Sequence, residues 1–380
     1  MLKKWLRRMP HPLYFVSVMV VAIAVRSVIA QEATAISHDY RTDDHSVDLT
    51  RLPLGDGNYS TTTPQMGSVF TCMTYNKTAV GAFQEGPWFN GDGTFDLTTK
   101  AIVDGEVAWN HEFIIALNSN SRDFTTNDLP NHTTGIYPIA SSDDAYQYDR
   151  NPNAIAEQTI TFSLPANPTI ATAPDCLGGE IGILLSGTVL FNAFDAGGRD
   201  AVAHETQDNC QGHPQVSGVY HYHSLTNCLD DEGTGHSALM GYAWDGFGIY
   251  GVHGEAGKVL TNEDLDECHG HSHVIDWDGQ KVDMYHYHAT YEFPYTLGCF
   301  KGTPTRFRIG GGGEGQGNPP IGGQGAGQGN PPDLAAAAVR LGITQQALME
   351  ALGAPPPDFT AAAARLGISE EVLRHTLGQP

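Results

Sequence analysis

The stretch GVYHYHSLTNC, Gly218 to Cys228, alternates tyrosine and histidine at Tyr220-His221-Tyr222-His223, and MYHYHATYEFPYTLGC, Met284 to Cys299, writes the same four letters at Tyr285-His286-Tyr287-His288. Alternation with period two is the signature of an extended strand, so His221 and His223 share one face and Tyr220 and Tyr222 the other. The second copy obeys the same rule. The repeat is longer than four letters: each copy opens on a C-x-G-H element, Cys210 to His213 or Cys268 to His271, and closes on a cysteine, Cys228 or Cys299.

Outward from these copies the chain alternates short apolar or aromatic runs with Gly, Asn, Asp and Pro clusters, as in GEVAWNHEFIIAL, EQTITFSLP, EIGILLSGTVLFNAF and GYAWDGFGIYG. Strands and turns fit this pattern better than helices. Residues 60–309 therefore read as one mainly β unit, β-sandwich-like with two packed sheets. Six cysteines, in a chain whose first 30 residues read as an export signal, read as three possible disulfides, and sequence alone allows 15 pairings. The expected set is Cys210–Cys228 and Cys268–Cys299, each closing a loop around its own YHYH, with Cys72–Cys176 remaining. Loops of that length are worth ~3 kcal/mol each in the chain-entropy picture.

Residues 1–30 have a basic start, an apolar run from Leu13 to Val25 and small residues ending at Ala30, the pattern of a secretory signal peptide. Arg7-Arg8 is not followed by the rest of a twin-arginine signal. The expected location is secreted, periplasmic or cell surface, with no membrane span in the mature chain. Removal of the signal leaves 15 basic against 43 acidic residues, a formal charge of −28. Such a surface repels nucleic acid and anionic lipid and attracts cations. After an N-terminal segment, 31–59, and the β-rich unit, a Gly/Pro/Gln-rich tract at 310–330 reads as a flexible linker. Residues 331–380 hold two 25-residue repeats, PPDLAAAAVRLGITQQALMEALG and PPDFTAAAARLGISEEVLRHTLG. Asp333 and Asp358 are candidate N-caps of helical hairpins, an accessory module with a candidate protein partner.

Eleven of the 17 histidines fall between His204 and His288. Two H-x-H pairs on strands, joined by His213 and His271, form a compact donor set for Cu or Zn, since neutral imidazole suits both. If the two YHYH strands pair or face each other, four imidazoles converge on one ion. The competing reading is a half-buried strand whose tyrosines pack while its imidazoles bond carbonyls. His111, His132, His236 and His253 stand apart and read as structural or exposed; His269 and His273 extend a site or belong to a loop. Asp245 and Asp266 are candidate carboxylate ligands, acceptors that fix a histidine tautomer, or general bases, and Asp245 before glycine also reads as a turn residue. The sequence NGDGTFD, Asn90 to Asp96, lacks the ligands of a calcium loop.

In combination, DNCQGHPQVSGVYHYHSLTNCL, ALMGYAWDGFGIYG and DLDECHGHSHVIDWDGQKVDMYHYHATYEFPYTLGCFKG make the chain resemble the YHYH-domain proteins over roughly residues 110 to 303. Gly248 departs from that family's pattern, which has proline there. The resemblance implies an exported protein and points to Asn131-His132, His213, His221, His223, Asp245, Asp266, His271, His286 and His288, but carries no established biochemical role. Three functions stay open. One is a metal-binding protein; another is a metal-dependent hydrolase or oxidoreductase, although G-x-S-x-G, H-E-x-x-H and phosphate-loop motifs are missing. The third is a non-catalytic adhesion or glycan-binding module.

Overall fold

The computed structural model describes residues 47–76, 82–231 and 235–306, and near the C-terminus residue 347, residues 351–352, 359–369 and 373. The expected signal peptide at 1–30, the expected linker at 310–330 and most of the expected helical repeats lie outside the described residues. One helix of the second repeat, Phe359–Leu366, is described. Among the described residues no helix is long and apolar enough to cross a membrane.

The chain is mainly β, as its alternation predicts. Short strands β1 (Leu52–Pro53), β2 (Tyr59–Ser60), β3 (Val69–Phe70) and β4 (Thr94–Phe95) form two ribbons, β1 with β4 and β2 with β3. Strands β5 (Phe113–Leu117), β6 (Ser121–Thr126) and β7 (Ile160–Pro165) make an antiparallel three-stranded sheet. The remaining strands are β8 (Glu180–Leu184), β9 (Val189–Phe191), β10 (Gly212–Pro214), β11 (Tyr220–Tyr222), β12 (Leu239–Ala243), β13 (Gly248–Tyr250), β14 (Gly270–Trp277) and β15 (Gln280–His288). They form one sheet in the order β10-β11-β9-β8-β12-β13-β15-β14.

This sheet is two copies of a four-strand unit. In the first, β8 and β9 are antiparallel, β9 lies parallel to β11, and β11 is antiparallel to β10. In the second, β12, β13, β15 and β14 repeat those relations. The copies meet where β8 and β12 run antiparallel, with Ile183 opposite Tyr242. A two-fold axis through that pair exchanges the halves and keeps equivalent side chains on one face. The duplication seen in the two cysteine frames thus extends back to IGILLSG and MGYAWDG, where the sequences have diverged.

The turns repeat as well. Ser186-Gly187 closes β8–β9 and Asp245-Gly246 closes β12–β13, with φ of 80° and 92° at the glycines. Between β14 and β15, Asp278 and Gly279 take φ of 50° and 77°, the left-handed pair a two-residue hairpin demands. The three-stranded sheet packs on the middle of the large one: Phe124 stacks on Phe162 at 4.6 Å and meets the Tyr242 ring at 5.4 Å. Two packed sheets are therefore present, but the parallel pairs β9–β11 and β13–β15 distinguish the large one from an antiparallel sandwich sheet. Disulfides join Cys72 to Cys176, Cys210 to Cys228 and Cys268 to Cys299, the expected set.

Candidate metal centres

One row of cross-strand neighbours crosses the whole sheet. It runs from His213 to His221, Val189, Ile183, Tyr242 and Gly248, and the Ile249–Tyr287 pairing carries it, one residue back along each strand, to His286 and His271. Directly paired residues share a face, so all these imidazoles project from the same side, at opposite ends of an apolar middle. The two YHYH strands do not pair. Five strand spacings, about 24 Å, separate β11 from β15. Four imidazoles around one ion required the strands to pair or face each other; the histidines fall instead into two separate groups.

The first centre gathers His213, His221 and His223, all three buried. Nε2 of His221 lies 3.2 Å from Nε2 of His223. The carbonyls of Val219 and Asn192 accept from Nδ1 of those rings at 3.2 and 2.6 Å, which leaves each Nε2 as an acceptor facing the other. Neither ring nitrogen of His213 has a hydrogen-bond partner among the described residues. A buried imidazole so placed carries an uncompensated desolvation cost unless something else binds it. Glu205, missed in the sequence, stands beside the group: its Oε2 lies 3.5 Å from Nε2 of both His213 and His223. Burial pushes this carboxyl well above its usual range and pushes His213 and His221 well below theirs, with His223 lowered to about 4. Its place between a one-turn helix, Ala201–His204, and β10 gives no periodic signal in sequence.

The second centre gathers His236, His271, His273, His286 and His288. His271 faces His286 across the hairpin, and His273 and His288 follow two residues on along each strand. Nε2 of His236 lies 3.0 Å from that of His288 and 3.3 Å from that of His286. Here too backbone carbonyls hold Nδ1: Ser237 for His236, Met284 for His286, Gly251 for His288. Nε2 of His271 and of His273 is buried without a hydrogen-bond partner among the described residues. Burial lowers His271 to about 4 and His286 to about 3, so these donors are neutral at pH 7. Two nitrogens bound to one zinc at 2.0–2.1 Å in a tetrahedron sit about 3.3 Å apart, close to the spacings seen in both centres.

Residues 161–259 match the family model described as YHYH protein, about a quarter of the chain. The chain carries a YHYH domain. The match includes the first frame and strands β8 to β13, while the second frame lies beyond it. No curated protein and no solved structure matches the chain.

The tyrosines of the YHYH domain face the other way and hold the carboxylates. Tyr287 donates to Asp245 at 2.5 Å, as Tyr222 donates to Ser186 at the equivalent turn. Tyr285 donates to Asp266 and Tyr220 to Asp208, and each of these aspartates also accepts from the amides of its C-x-G-H loop. Asp245 and Asp266 are therefore corrected: they brace tyrosines on the far face and orient no imidazole, a task done by backbone carbonyls. His132 bonds the Tyr222 hydroxyl at 2.7 Å and stays outside both centres. His236, read as structural or exposed, is corrected to a member of the second centre, which His273 also joins. His269 does not join; it bonds the His288 carbonyl and Thr290. The groupings of Cys210 and Cys228 with His132, and of Cys72 and Cys176 with Asp175, are disulfide sulfurs rather than thiolate ligands.

Proposed function

We propose that the YHYH domain is an exported transition-metal-binding module with two histidine centres, taking Zn or Cu. The observation that carries this reading is the buried His213 ring, with no hydrogen-bond partner on either nitrogen, beside two Nε2 atoms that face each other at 3.2 Å. An ion bound there turns mutual lone-pair repulsion into coordination. Neutral rings and strand-fixed geometry in both centres support the same conclusion. The acidic mature chain would raise the local concentration of cations. Four donors from His213, His221, His223 and Glu205 match a complete zinc complement, which favours binding over turnover at the first centre.

The test is metal content by mass spectrometry of the mature chain, purified with its disulfides intact and offered Zn²⁺ or Cu²⁺. Two equivalents are expected, falling to one in His221→Ala and to one in His286→Ala. A protein that binds neither ion would sink the proposal and return the lead to an adhesion module.

A further inference from the structure

The two halves share a fold but have built unlike centres. In the first, all three imidazoles are almost fully buried at 3–4% exposure, and Glu205 adds a carboxylate. Its edge strand, β10, is covered: Tyr137 donates to the Gly212 carbonyl, and Asn151 and Asn153 donate to that of Pro214. In the second, His236, His271 and His273 are only half-buried, the group holds five imidazoles, and among the described residues no carboxylate belongs to it. Its edge strand β14 alternates between half-buried and exposed residues from His271 to Val274.

These differences set different exchange behaviour. Three imidazoles and one carboxylate leave a divalent ion with a single residual charge in a sealed pocket, and release requires that pocket to open. Five imidazoles exceed the four donors of a tetrahedral ion, so a departing ion passes from one donor to another without losing its full shell at once. The half-buried side admits an incoming ligand. Resting on the metal-binding reading above, we infer that the first centre retains a structural ion while the second is an exchange site that takes up and releases a soft or borderline ion, Cu or Zn, as cargo.

The experiment loads the mature protein with Zn²⁺ alone, and separately Cu²⁺ alone, adds excess EDTA, and follows bound metal by mass spectrometry over time. Two equivalents should leave in two phases whose rates differ at least tenfold. In His236→Ala/His273→Ala the fast phase should shrink or vanish, and in Glu205→Gln the slow phase should quicken toward the fast one. Release of both equivalents at one rate, or loss of the slow phase in the His236/His273 variant, would overturn the division while leaving metal binding intact. A wild-type protein that binds no ion would overturn both. The wild-type time course decides whether two phases exist, and the two variants assign them independently, so one variant that folds poorly leaves the assignment to the other.

Discussion

Nε2 of His236 stands 3.0 Å from Nε2 of His288, although 52 residues separate them. Each ring gives its Nδ1 proton to a carbonyl, so two lone pairs meet where no proton lies between them. The arrangement is useful to a cation and of no use to an empty fold. His236→Ala should therefore leave the stability of chelator-treated protein within about 0.5 kcal/mol, the range of changes away from buried networks. It should weaken binding at the second centre at least as much as the about 10- to 100-fold typical of residues one step removed from a metal. Isothermal titration with Zn²⁺, beside urea denaturation of the metal-free protein, reads both; a large loss of metal-free stability would mark His236 as structural.

Glu205 lends itself to a cleaner substitution. Burial pushes its carboxyl well up, toward the neutral form that glutamine nearly matches in shape. Glu205→Gln should change metal-free stability by less than about 1 kcal/mol. The metal-dependent gain, about 2.7 kcal/mol when free ion is a hundred times the dissociation constant, should mostly disappear for the first centre. Thermal melts with and without Zn²⁺ make the comparison; an undiminished metal-induced shift would remove Glu205 from the site.

The sequence displayed the strand period, the faces of the two YHYH copies and the cysteine frame, because period two and short loops are local properties. It did not display that β11 and β15 lie at opposite ends of one sheet. That follows from the pairing of β8 with β12, whose residues Ile183 and Tyr242 have diverged in type. Glu205 and His236 were illegible for a related reason: each sits in an irregular segment and reaches its centre through tertiary contact alone. Asp245 was half legible, since it is the turn residue its Asp-Gly context suggests and also the partner of Tyr287.

The pH behaviour of a loaded ion follows from the depressed imidazoles. An ordinary histidine competes with metal for protons near pH 6.5. His223 and His271 are lowered to about 4 and His286 to about 3, all chiefly by burial, so protons compete only below that range. Lowering pH from 7 to 5.5 should leave bound metal in place, and further descent through about 4 should release it. Metal content after buffer exchange at each pH shows this; half-release near pH 6 would mean the rings titrate as exposed histidines.

The tyrosine face makes the opposite prediction, a stability effect without a metal effect. Tyr287 is wholly buried, donates to Asp245 and accepts from the Lys301 amide at 2.7 Å. Tyr287→Phe removes the acceptor of the Lys301 amide and one of the donors to Asp245, which keeps the Gly302 and Phe247 amides, a loss of about 1–3 kcal/mol. Metal stoichiometry should remain at the wild-type value in the folded variant. A shift in the urea midpoint with unchanged metal content confirms the division of faces, and a variant that folds normally but loses metal would contradict it.

The glycine of each C-x-G-H element is fixed by the tyrosine behind it. A Cβ on Gly212 would stand 2.2 Å from Cζ of Tyr220, and one on Gly270 would stand 2.4 Å from both the Tyr285 hydroxyl and the His286 carbonyl. Neither tyrosine can move aside cheaply, since each donates to the aspartate that also holds the amides of the same loop. Gly212→Ala and Gly270→Ala should each cost stability near the upper end of the about 1–3 kcal/mol seen for overpacking. The Gly270 variant should lose more, because one of its obstacles is backbone. Each should also lower the metal affinity of its own centre, where His213 or His271 is the next residue, and leave the other centre unchanged. Urea denaturation with parallel zinc titrations separates the two effects, and equal damage to both centres from either single change would show that the halves are not independent.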